Sequence, residues 1–186
     1  MPDLSRTVWH NKKDTIARVD REYDALDRAV RRLGTKGLEE PVPGFGARAR
    51  IKRERWLRKD ALAHIVEWKS HQLRTLRGEA PDRRLRGLPI ARQNRILYER
   101  WHARPAREIV AFHRRVGREI REAMRALPDA YYAKRFSPAW PNQLIGGSRW
   151  HREHHLEGSV GSDFIGSGSS SRSAQRGSTS GRARAR

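Results

Sequence analysis

The chain has 186 residues, 36% hydrophobic and 33% charged, with no cysteine and a net charge of +20 from 41 basic and 21 acidic residues. This composition supports one modest core plus trailing sequence, and it excludes disulfides, thiolate metal ligands and a cysteine nucleophile. No apolar run approaches the roughly 18 residues of a membrane span, and the first residues lack the apolar core of a secretory signal, so a cytoplasmic protein without a membrane partner is expected.

The positive charge is mostly arginine, spread along the chain and interleaved with acids, as in ARVDREYDALDRAVRR. Clustering would favour nucleic acid; interleaving favours solvated helix faces. Nucleic acid therefore stays a less favoured partner.

The first predicted element is a helix over Asp14 to Leu33. Ile16, Val19, Tyr23, Leu26, Val30 and Leu33 alternate spacings of three and four, which sets them on one stripe. Gly34 fits the stop. The segment LEEPVPGFGARAR reads as loop. A second helix is expected from Trp56 to Arg77, ending at Gly78. Its buried face carries Leu57, Ala61, His64, Ile65 and Trp68, flanked by Leu62, Leu73 and Leu76. GEAPDRRLRGLP is again loop, and Ala91 to His102 a short helix. Pro105 suits the first turn of another long helix, with Ile109, Phe112, Val116, Ile120, Ala123 and Leu127 inward and Pro128 beyond its end. SPAWPNQLIGG is irregular, and Asn142 or Ser148 can cap a last helix through His155 and Glu157. No strand-like alternation stands out. The division is a helical domain over 1–157 and a Gly/Ser/Arg-rich tail over 158–186, too poor in apolar surface to order. Amphipathic helices joined by loops are economically buried in an all-α, antiparallel four-helix bundle. The six tryptophans are expected as core and loop anchors.

Three of the eight histidines fall in HREHH, His151 to His155. On a helix, His151 and His155 lie about 40° apart, and His154 about 60° the other way from His151. Either pair can reach one ion. His64 sits on the apolar stripe of the second helix, where a buried imidazole needs a partner or a metal. Asp60, one turn before it, can hold its other ring nitrogen, as carboxylates do behind ligating histidines. Three imidazoles around one ion leave a position open for water or substrate. All-nitrogen ligation suits Zn, Ni, Fe or Cu. Asn94 and Tyr98, one turn apart, can face the same cavity and position a substrate; the structural alternative for the pair is an inter-helix hydrogen bond and a core aromatic. His10, His71, His102 and His113 show no partner pattern. No Ser-His-Asp order, phosphate-cradling glycine loop or carboxylate pair is present.

WLRKDALAHIVEW, Trp56 to Trp68, resembles the W-x-x-K-D-x-x-A-H-x-x-x-W helix of the DinB-like superfamily. That superfamily includes the maleylpyruvate isomerase N-terminal domain and the ClbS/DfsB-type proteins. ARQNRILYERWHARPAREIVAF resembles the approach to its third helix, with Asn94 at its recurrent asparagine, and WHREHH resembles its closing histidine segment. The similarity spans about Asn11 to Glu157. It implies a four-helix bundle with one divalent metal, Zn or Ni foremost, held by His64, His151 and His155 with Asp60 behind them. Aligned on the family's HYREH form, the two last positions fall instead on Trp150 and His154, and tryptophan cannot ligate. The implied activity is that of a metal-dependent enzyme on a small molecule, a thiol-dependent transferase or isomerase or a hydrolase, with a low-molecular-weight thiol as a further cofactor. The rival expectations are a metal-free small-molecule-binding or self-resistance bundle, and a basic nucleic-acid-associated protein. A homodimer is left open.

Overall fold

A computed structural model describes residues 8–42, 55–136 and 152–156, the side chains of His154 and His155 excepted. The described chain is mostly helical: α1 Lys12–Leu38, α2 Arg58–Leu76, α3 Ile90–Trp101, α4 Ala106–Ala126 and the short α5 Asp129–Tyr132. A π-helical turn follows at Arg152–Leu156. No described helix is long and apolar enough to cross a membrane. The tail beyond Gly158, the proposed caps Asn142 and Ser148, Trp140 and Trp150 all lie outside the described residues.

α1 starts where Asn11 caps it: its Oδ1 accepts from the Asp14 N–H at 2.8 Å. The expected stop at Gly34 is a break in direction, not an end. Gly34 takes φ 58°, ψ −176°, a conformation that glycine reaches without a Cβ clash, and one more helical turn follows to Leu38. The stripe is as patterned: Val19, Tyr23, Leu26 and Val30 are buried, and Ile16 and Leu33 pack at its edge. α2 ends at Leu76 with Arg77 capping and Gly78 at φ 69°.

α2 departs from the expected one-sided stripe. Every residue from Lys59 to Val66 is buried. The reason is position: α2 packs against α4, α3, α1 and the 152–156 turn at once. Leu57 and Trp68, expected inward, are only partly covered. α1 packs chiefly against α4. Gly117 of α4 permits that approach, since a Cβ there would lie 3.2 Å from the Tyr23 ring. Many interleaved charges are spent across this interface. Arg121 reaches Asp20 and Asp24, and Arg125 reaches Asp20.

Two features carry no periodic signal. β1 Val8–Trp9 pairs antiparallel with β2 Arg135–Phe136, Val8 facing Phe136. α5 docks through Tyr132, whose buried hydroxyl donates to the Met124 carbonyl at 2.7 Å. Trp9 is 74% exposed, so it is not the anchor its type suggested.

A buried cation sits inside the helices. Lys69 of α2 is 1% exposed, and its ammonium lies 4.3 Å from the Tyr23 ring centroid. Arg121 covers the same ring at 5.2 Å. Burial, opposed by Glu22 and helped by Arg121, lowers the Lys69 pKa to about 7. Burial and then Lys69 hold His113 below the usual imidazole range, against the pull of Asp27. The folded state thus binds the Lys69 proton less tightly than the unfolded chain does. Stability should rise with pH from about 7 towards the unfolded lysine value near 10.4. Urea unfolding at pH 7 and pH 9 should show that rise in the wild type and a flatter profile in Lys69→Met.

Candidate functional site at the junction of α2 and α3

The first turn of α2 is built from polar side chains that are nevertheless buried. Asp60, 2% exposed, accepts from the Leu57 N–H at 2.8 Å, half of a capping box that leucine cannot reciprocate. Its Oδ2 also lies 2.9 Å from His102 Nδ1, which comes from the end of α3. A carboxylate only accepts, so the proton on that contact belongs to Nδ1, and in the neutral imidazole Nε2 is then the acceptor nitrogen. The other carboxylate oxygen, Oδ1, is buried with no hydrogen-bond partner among the described residues. Lys59 beside it donates to the Arg104 carbonyl at 2.9 Å and pairs with Glu39 at 3.1 Å. These two residues tie α2 to the end of α1 and to the α3–α4 turn.

Aromatic rings carry the site onward. Tyr98, one turn before His102, stacks on its imidazole with centroids 4.5 Å apart. Trp56, buried just ahead of α2, lies 5.3 Å from Tyr98 and edge-on to His64 at 5.9 Å. His64 is 5% exposed and edge-on to Trp68. Asn94, a further turn back on α3, has its Oδ1 buried without a hydrogen-bond partner among the described residues.

Of the sequence-chosen residues, Asp60, His64 and Tyr98 therefore meet in one cluster, and Asn94 precedes it on the same helix. The expected role of Asp60 behind His64 is not what its contacts display: the hydrogen bonds of Oδ2 go to Leu57 and His102. His151 lies outside the described residues, and of His154 and His155 only the backbone is described. That backbone belongs to the 152–156 turn, which packs on α2 and buries Leu156 completely. Among the described residues, no three His, Asp or Glu side chains surround one point. His102 was missed, because its partner is 42 positions away and no local spacing announces it. The other His–carboxylate contact, His113 Nε2 to Asp27 at 3.5 Å, links α4 to α1 in the same non-local way.

No protein-family model matches the chain, and no curated protein or solved structure matches it.

Asp60→Ala should lower stability by about 2–4 kcal/mol, the sum of a lost cap and a buried hydrogen bond to a charged acceptor. Asp60→Asn should restore part of it, because an amide oxygen can still cap. Urea unfolding of both variants measures the difference.

Proposed function

We propose that the chain is a metal-dependent small-molecule enzyme, its helices arranged as the antiparallel four-helix bundle of the DinB-like type, with its active site at the α2–α3 junction. The observation that carries the reading is one buried carboxylate, Asp60, and two imidazoles, His64 and His102, joined through Trp56 and Tyr98 on neighbouring helices. Burying a carboxylate is costly unless it is partnered, and the imidazole that Asp60 holds stays partly exposed, within reach of a ligand.

His64 suits a metal ligand: it is a buried nitrogen donor on the helix against which the 152–156 turn packs. His151 and His155 are the proposed companions, with Zn or Ni the fitting ions. When bound, the ion would polarise a thiol, water or substrate oxygen. The chain's own residues do the rest. Asp60 orients His102, so that Nε2 can take a proton from a substrate or from a low-molecular-weight thiol. Tyr98 restricts that ring by stacking on it. The buried Asn94 carbonyl accepts from a substrate donor, which would satisfy an otherwise unbonded atom.

Elemental analysis of untagged protein tests the reading. About one divalent ion per chain is expected in the wild type, as for a mononuclear His site, and almost none in His64→Ala or His155→Ala. No metal in the wild type after reloading with Zn or Ni, or unchanged metal in His64→Ala, would replace it with metal-free binding of a small molecule by the same cluster.

A further inference from the structure

A second concavity lies between α2, the loop to α3, and the facing sides of α3 and α4, and shares no residue with the cluster just described. It encloses about 660 Å³, with Arg74, Arg83, Arg84 and Arg115 around Trp101 and Phe112. Its lining holds five arginines against two acids, Glu67 and Asp82. Both acids are already spent. Arg100 spans them, at 2.9 Å to each, and the Trp101 indole N–H donates to Glu67 at 2.7 Å. Burial alone would raise the Asp82 carboxyl, but hydrogen bonds from Arg100 and the Arg84 N–H outweigh it and lower its pKa. Arg83 and Arg84 have no acidic ion-pair partner among the described residues; Arg74 is close enough to Asp82 to help lower its pKa, and donates to the Ala80 carbonyl at 3.4 Å.

The arginines are not loosely placed. Asp82, anchored by Arg100, accepts the Arg84 N–H on its side chain at 2.9 Å and the Leu85 and Arg86 N–H groups on its carbonyl. The loop is thereby folded over a fixed acid and presents consecutive guanidinium groups. The wall opposite is flat and aromatic. Trp101 stacks on Phe112 at 4.6 Å and 14°, and Arg115 lies 5.5 Å over the Phe112 ring. Guanidinium forks recognise phosphate oxygens, and the aromatic stack is itself covered by guanidinium groups, Arg104 lying 5.3 Å over Trp101 and Arg115 over Phe112. The volume falls in the range of about 300–1,000 Å³ typical of small-ligand pockets. A strand of nucleic acid needs a longer basic track with repeated stacking platforms.

We infer that this groove binds a free polyphosphate, inorganic or carried by a nucleotide, on Arg74, Arg83, Arg84 and Arg115. The site stands apart from the proposed metal site, and its test does not depend on that reading.

Isothermal titration of the full chain with ATP, inorganic triphosphate and a short oligothymidylate, at about 150 mM salt to screen diffuse attraction, decides the matter. ATP and inorganic triphosphate are both expected to bind, and more tightly than the oligonucleotide. Arg83→Ala/Arg84→Ala should weaken ATP about tenfold or more, as expected for losing charge-assisted phosphate contacts. Both side chains are exposed, so thermal unfolding should be unchanged. The control pair Arg21→Ala/Arg28→Ala, with the same loss of charge on α1, should bind as wild type. Absence of binding by both ATP and triphosphate, an equal loss in the control pair, or tighter binding of the oligonucleotide than of either would each overturn the assignment.

Discussion

A carboxylate stripped of water is tolerated in a protein only where donors are brought to it. Asp60 sets that condition for the first turn of α2. Its donors come from the turn before the helix and from the far end of α3, so the helix start, the placement of α3 and the orientation of His102 are settled together. Lys59 extends the constraint outward, to Glu39 at the end of α1 and to the Arg104 carbonyl between α3 and α4. The motif residues from Trp56 to Trp68 thus have a structural account independent of any metal: Trp56 packs on Tyr98, Lys59 and Asp60 cross-link three segments, and Ala63 and His64 lie in the covered part of the helix.

How much of this the sequence disclosed depends on how local the cause is. The breaks at Gly34 and Gly78, the start of α4 after Pro105 and the inward stripe of α1 follow from neighbours in the chain, and they are legible. The covering of α2 on all sides is not, because Lys59, Asp60 and Lys69 interrupt the apolar pattern that would announce it. Their burial depends on partners from α1, α3 and α4. The β1–β2 pairing is two residues long on each side, too short for an alternation to register. Asp60 and His64 could be picked out because they sit one turn apart on α2, as Asn94 and Tyr98 do on α3. His102 could not, since only the fold delivers it to Asp60.

Among the described residues, the arginines of α1 and α4 and those of the loop after α2 differ in their physics. On α1 and α4 they interdigitate with acids, as in Arg121 with Asp20 and Asp24, and at a solvated surface such pairs contribute little energy but suppress repulsion. In the loop after α2 they stand together, with the nearby acids already claimed by Arg100. A composition count cannot separate the two groups; the pairing of each side chain does. α2 and α3 consequently present distinct chemistry on two sides of their junction, imidazoles and a carboxylate on one and guanidinium groups beside aromatic rings on the other.

The short pairing of β1 with β2 bears on the order in which the chain assembles. It joins the residues just before α1 to those just after α5, and α1 rests mainly on α4, far along the chain, while making few contacts with the α2 that follows it. Helices α3 and α4 are joined by a short turn and α2 and α3 by the 77–89 loop, so these three meet by closing smaller loops than α1 and α4 do. α1 gains its main surface only after α4 is in place, and the β pairing closes the longest loop of all. By loop-closure entropy, the contacts among α2, α3 and α4 are the less costly to form first, and the docking of α1 and the β pairing are the more costly.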